Sequence, residues 1–405
     1  MKVRLLCALL LLLPASGGGA PPGSDWPQFL GPRRDGSSSD PRVAERWRRD
    51  GLRVAWRVAV GVGYSGVAIA NGRLFGMDSV DGDEFLFARR TSDGHELWRV
   101  RTARSPKDVY GGLGPRVTPA VWEDQVFTVS AEGEALSVDT AGGPLWHRPL
   151  RAELGWRPPA EGTASSPLVA DGRVYLMNGG AQGRALLALD ARTGRVLWTA
   201  QDDQPSYSSP VRFDSHGVAQ ALFLGGNALF SVDPGSGRLL WRYAWPTPDF
   251  VNAASPLVIA PDRVFISSGN DQGAALLRVL PAPGGALGVE EVWRHRGMKN
   301  HFNNSVHHEG VLYGFDGRFF TALDLGSGAL RWRERGFGEG SVVRAGDHLV
   351  VLGEEGEIAL VAPHRDGLRV LFRQVVLSGR SWTPPSLAEG AIFLRGLSEI
   401  VRLGG

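Results

Sequence analysis

The chain has 405 residues, 44 lysines and arginines against 42 acids, and a net charge of +2, so it carries no basic field of the kind that binds nucleic acid. Its 55 glycines and 26 prolines suit a fold that turns every few residues. With one cysteine it has no internal disulfide to form and no cysteine-based metal site.

Residues 1–20 open with Lys2 and Arg4, continue as an apolar run from Leu5 to Leu13, and end in small residues. This is the pattern of a secretory signal peptide, too short to span a membrane. The lone Cys7 lies inside it. No later apolar run is long enough for a transmembrane helix, so the expectation is a periplasmic or secreted protein, and a monomer. Residues 21–50 are polar and punctuated, and read as an extended N-terminal arm pinned to the body by Trp26 and Phe29.

From residue 51 to 405 one unit recurs. Its clearest copy is Leu186 to Thr199, two short apolar strands around a tight turn in which Asp190 bonds the backbone ahead of it and Gly194 takes a positive φ. Gly94/Trp98, Gly237/Trp241 and Gly328/Trp332 repeat the offset of Gly194/Trp198. Trp56, Trp98, Trp146, Trp198, Trp241, Trp293 and Trp332 recur at steps of 42, 48, 52, 43, 52 and 39 residues, and Phe372 stands where an eighth is due. That period belongs to a four-stranded propeller blade. A hydroxyl residue heads each unit, at Ser65, Thr118, Ser166, Ser209, Ser255, Ser305, Ser341 and Thr383, and gives the same count of eight. Leu52 to Val60 is a Trp strand without a blade, while the last residues supply strands without a closing Trp. The fold class is therefore all-β: an eight-bladed propeller whose last blade is closed by the N- and C-terminal strands, which leaves no open sheet edge.

The core Ala188 to Trp198, Ala-Leu-Asp-x-x-Thr-Gly-x-x-x-Trp, resembles the pyrroloquinoline quinone (PQQ)-type repeat of quinoprotein alcohol dehydrogenases and of the BamB assembly factor. Asp25 to Pro32, Ser208 to Pro210, Met298 to Asn303 and Leu312 to Gly317 are similar to secreted bacterial PQQ-binding-like propellers. The resemblance implies fold; it implies less about function, since the superfamily holds enzymes and non-enzymes. For the dehydrogenases it implies PQQ on a Trp, a calcium ion held by Glu and Asn, an Asp base and a disulfide of adjacent cysteines. This chain lacks those cysteines, and no matching Glu, Asn and Asp set aligns.

The expected site is the mouth formed where the inner strands begin. Its candidates are Ser65, Arg116, Thr118, Ser166, Ser209, Ser255, Asn303, Ser305, Ser341, Trp382 and Thr383, with Arg116 and Asn303 as the main contributors. Arg116 offers a fixed fork of donors for an acid, and Asn303 both donates and accepts. The alternative for Arg116 is pairing with Glu339, and for the hydroxyls a turn at each strand start. Trp382 is the one aromatic placed to floor a cofactor. The seven Trp blade marks read as structural, and no catalytic or metal-ligating set stands out: His307 and His308 face opposite ways on a strand, and the acids from Asp78 to Glu84 do not match a calcium loop. The leading functional reading is a non-catalytic scaffold that binds a small molecule, carbohydrate or protein partner. The alternatives are a PQQ- and calcium-dependent oxidoreductase without the disulfide, and a BamB-like assembly factor.

Overall fold

The computed structural model describes residues 25–105, 112, 114–364 and 366–404. The expected signal peptide lies outside them. Eight sheets follow one another along the chain, antiparallel apart from one two-residue strand added to blade 7, and each runs from an inner to an outer strand. Blades 1 to 7 occupy 68–104, 120–149, 168–200, 211–244, 257–295, 306–334 and 341–375. The eighth takes Ser386–Ala388, Ala391–Arg395 and Glu399–Leu403 from the C-terminus and Val54–Ala59 from the N-terminus, with Trp56 opposite Arg402. The inner strand of blade 1 touches those of blades 2 and 8, so the ring is closed. Apolar residues alternate along each strand and meet between blades. Leu186 and Ala188 of blade 3 pack with Phe223 and Phe230 of blade 4 in one such layer.

The recurring Gly and Trp prove to be the two halves of a joint between adjacent blades. Trp56, Trp98, Trp146, Trp198 and Trp293 lie on outer strands, and each ring covers the turn glycine of the next blade. A Cβ on Gly142, Gly194, Gly237 or Gly328 would fall 2.7–2.8 Å from the ring of Trp98, Trp146, Trp198 or Trp293. The indole N–H then donates to a carbonyl of that same blade, as from Trp98 to Thr140 at 3.0 Å and from Trp146 to Ala191 at 2.8 Å. Asp190 Oδ1 fixes the turn by accepting from the Arg192 and Thr193 N–H groups and the Thr193 hydroxyl. Trp241 departs from the rule and donates to Gln220 in its own blade, because blade 5 replaces the tight turn with a longer hairpin. Phe372 replaces Trp for a related reason. Blade 8 has a chain break where the turn would be, and Phe372 packs edge-on against Trp47 of the arm instead, at 6.0 Å.

Two features differ from the sequence expectation. Blade 7 has five strands, because Ser37–Ser38 adds in parallel inside Ser341–Ala345. The arm is not extended throughout: Arg42–Asp50 is a helix. Val43 and Trp47, one turn apart, bury against Ala391, Ile392 and Leu403 of the last blade. At nine residues the helix is too short for a periodic signal, and this burial is what holds it. A second short helix, Leu150–Leu154, follows blade 2.

Before Arg42–Asp50 the arm crosses the ring of inner strands on the side of the inner-strand turns. Trp26 bridges Ile69 of blade 1, and the Pro27 carbonyl accepts from Val121 of blade 2 at 2.7 Å. The Arg34 guanidinium reaches the Ser166 and Pro167 carbonyls of blade 3. Gly36 packs against Val306 of blade 6, and the Asp40 carboxylate accepts the Gly390 N–H of blade 8.

Candidate functional site

The eight hydroxyls stand together at the heads of the inner strands, and all eight are buried. Their bonding runs round the ring. The Thr118 N–H donates to Ser166 Oγ at 2.9 Å, the Ser166 N–H to Ser209 Oγ at 2.9 Å, and the Ser209 N–H to Ser255 Oγ at 3.2 Å. The Ser255 N–H passes to Asn304 Oδ1 at 2.8 Å. Ser65 Oγ accepts from the Met77 N–H, Ser305 donates to Asn300 Oδ1, and Thr383 donates to the Tyr64 carbonyl. At Thr118, Ser166 and Ser209 the strand head carries a backbone donor with no ladder partner, and a hydroxyl of the next blade meets it; at Ser255 the Asn304 side chain does so. Asn303 is buried too, and its carbonyl oxygen accepts from Asn300 Nδ2 at 3.1 Å.

The partly exposed groups at this mouth are different residues. Tyr64 stacks on Trp382 with centroids 5.3 Å apart, and Phe302 leans on the same indole at 4.6 Å. The Arg116 guanidinium lies 5.5 Å from the Tyr64 ring and that of Arg380 4.5 Å from Trp382. His301, beside Phe302, faces Glu339 at 3.5 Å, so Glu339 is engaged there rather than with Arg116. The lead-in segments of blades 1, 2, 6 and 8 thus build one ribbon from His301 through Phe302, Trp382 and Tyr64 to Arg116. Arg116 donates to the Gly114 and Gly112 carbonyls at 3.2 and 3.3 Å. Burial draws its pKa down from the usual arginine value, while Glu161 and Tyr64 act the other way. The Glu161 N–H donates to the Tyr207 hydroxyl, which brings blades 3 and 4 to the same neighbourhood. At the heads of blades 2 to 4 are buried polar atoms with no partner among the described residues: Thr118 Oγ1, Thr163 Oγ1, Glu161 Oε2, Ser165 Oγ and Ser208 Oγ.

Sequence reasoning singles out Arg116 and Trp382, passes over Phe302, and takes Glu84 with Asp78 as part of a solvated acidic turn, whereas both are buried. Phe302 lacks a repeat position to mark it. Glu84 is fully buried, and burial pushes its carboxyl up to about 7. Its Oε2 accepts the Ala131 N–H at 3.2 Å and its Oε1 has no protein partner. Nearby Asp78 is accounted for by structure: it is buried, paired with Arg99 at 2.5 Å, and accepts the Gly61 N–H. His307 accepts the Gly310 N–H in a turn. Among the described residues no three His, Asp or Glu side chains converge as a metal ion would need, and no helix is long and apolar enough to cross a membrane.

The fold is shared with solved structures. BamB from Moraxella catarrhalis superposes with a TM-score of 0.62 at 12% identity, over 87% of this chain and 98% of that one. The quinohemoprotein alcohol dehydrogenase from Comamonas testosteroni gives 0.63 at 14% identity, over 94% and 80%. Among curated proteins, the serine/threonine-protein kinase AfsK of Streptomyces coelicolor is 35% identical over 129 residues, which are 32% of this chain and 13% of that protein's length. At residues 86–332 the chain matches the family profile described as outer membrane protein assembly factor BamB. With more than half its length matched in this way, and with eight blades closed by its two ends, the chain belongs to that family of PQQ-like β-propellers.

Proposed function

We propose that the protein is an exported, non-catalytic binding propeller whose ligand sits at the mouth where the inner strands begin. The observation that carries this reading is the half-exposed ribbon of Phe302, Trp382, Tyr64 and Arg116 together with buried hydroxyls that lack partners. Concave sites with a few convergent polar groups on an aromatic wall are where small ligands bind. Arg116 suits a carboxylate, the aromatic faces suit a flat or cyclic body, and the hydroxyls suit its polar edge. The chemistry indicated is a small cyclic acid or a sugar. The lead-in at 1–20 supports export.

The residues do not fit PQQ with calcium. The Trp382 indole is already packed by Tyr64, Phe302 and Arg380 and its N–H donates to Glu354 Oε1 at 3.3 Å, and among the described residues no three His, Asp or Glu side chains converge as a metal ion would need. A calcium ion requires several oxygen ligands held together.

A thermal-shift panel of sugars, sugar acids, small carboxylic acids and PQQ with calcium, run on wild type, Arg116→Ala, Trp382→Ala and Asn303→Ala, tests the reading. A saturable rise in Tm that is lost in Arg116→Ala and Trp382→Ala is the expected result. A ligand that stabilises all four proteins equally places the site elsewhere. PQQ-dependent dye reduction in the presence of an alcohol would overturn the non-catalytic reading.

A further inference from the structure

The opposite side of the ring, where the arm crosses, holds a cavity of about 610 Å³ bounded by the arm and by blades 3 to 7. Its charged lining is lopsided: Arg33, Arg34, Arg212 and Arg344 against Asp35, with the neutral His307 beside them. Arg33 is matched by Asp35 at 3.1 Å, and Arg212 by Asp171 and Asp214. Arg34 and Arg344 are not matched. Among the described residues neither has a carboxylate partner. Arg34 is 3% exposed, and its guanidinium donates only to the Pro167 carbonyl at 2.7 Å, the Ser166 carbonyl at 3.0 Å and Gln28 Oε1 at 3.2 Å. Arg344 donates through Nη1 to the Gly346 carbonyl at 2.7 Å. In both, the Nε–H is buried and has no acceptor.

A buried cation without a counter-charge is costly, and a buried N–H without an acceptor adds to that cost. Carbonyl dipoles offset only part of it. Burial lowers the Arg34 pKa to about 9, and Arg344, after burial itself, contributes to holding His307 below the ordinary imidazole value. Two guanidiniums without a carboxylate partner line one cavity, and such a pair is suited to an oxyanion, because a guanidinium can give parallel N–H bonds to two oxygens. We infer that this arm-side cavity binds an oxyanion group, phosphate or sulfate, held by Arg34 and Arg344. The anion would tie the arm to blades 3 and 7 at once. The group is either free in solution or carried on a sugar; the two sources share this chemistry.

The test is calorimetric titration of the full chain at constant ionic strength with inorganic phosphate, sulfate, glucose 6-phosphate and glucose, with sodium chloride as the control. Saturable binding of phosphate or sulfate is expected, with glucose silent. Tighter binding of glucose 6-phosphate than of phosphate identifies the carried group, and equal binding identifies the free anion. Arg344→Gln removes a charge-assisted contact and is expected to weaken binding about tenfold or more, with Tm nearly unchanged in the absence of anion. Arg116→Ala, at the other mouth, is expected to bind the anion as wild type does, which separates this inference from the mouth reading. Arg34→Gln is the second variant, read only where its circular dichroism matches wild type. Heat no greater than that of the chloride control, or equal affinity in wild type and Arg344→Gln, overturns the proposal.

Discussion

At the scale of single residues, the Gly–Trp joint carries the repeat. Gly237 sits at φ +74°, and a Cβ there would lie 2.7 Å from the Trp198 ring. Gly237→Ala therefore costs about 1–2 kcal/mol for the left-handed backbone and more for the ring overlap. Trp198→Ala empties a buried site and is expected to cost about 3–5 kcal/mol. The two residues share one contact, so their costs should not add. In the Trp198→Ala background, Gly237→Ala should retain only its backbone cost in a urea titration. Full additivity would mean that ring and glycine are not energetically coupled. Glu84 is the second residue with a measurable signature. Its carboxyl titrates near 7 in the folded chain against 4.5 when unfolded, so the unfolded state gives up its proton first and stability falls as pH rises from 4.5 through 7. Glu84→Gln keeps an acceptor for the Ala131 N–H and removes that loss. The variant should gain on wild type by far more at pH 8 than at pH 5. An equal difference at the two pH values would show that Glu84 is ionised without penalty.

At the scale of elements, what the sequence discloses is what is local. The Asp turn, the positive-φ glycine and the outer-strand Trp lie within nine residues of one another, so each blade announces itself, and the spacing of 39 to 52 residues counts the blades. The partners of these groups are not local. Trp146 covers Gly194, forty-eight residues on, rather than the glycine of its own turn, and no spacing rule within one unit discloses that. The hydroxyls are legible as a set, whereas the backbone N–H groups they meet lie one blade away. The arm is the hardest element to read. Its helix is held by the last blade, its two-residue strand by blade 7, and Arg34 by carbonyls of blade 3, all contacts with segments far along the chain. The same holds for the mouth ribbon, in which Phe302, Trp382 and Tyr64 come from blades 6, 8 and 1.

For the whole molecule, closure is the decisive interaction. The N-terminal strand Val54–Ala59 pairs with Glu399–Leu403, and side chains reinforce the seam: Arg395 of blade 8, fully buried, donates to the Met77 carbonyl of blade 1 at 2.8 Å and the Gly61 carbonyl at 3.1 Å, and Arg57 donates to the Val376 carbonyl at 2.6 Å. A ring without this strand would expose the unpaired edge of Glu399–Leu403 and the apolar residues behind it, Ile400, Val401 and Leu403. Two truncations separate the arm from the closure. A chain starting at Gly51 loses the arm but keeps the strand, and it should remain folded with a lowered Tm, since Trp26, Val43 and Trp47 no longer cover blades 1 and 8. A chain starting at Gly61 loses the strand as well. It should melt far earlier or aggregate, because the ring is then open between blades 8 and 1. If the second cut causes no loss of Tm or solubility beyond the first, the shared blade is not what holds the two ends of the molecule together.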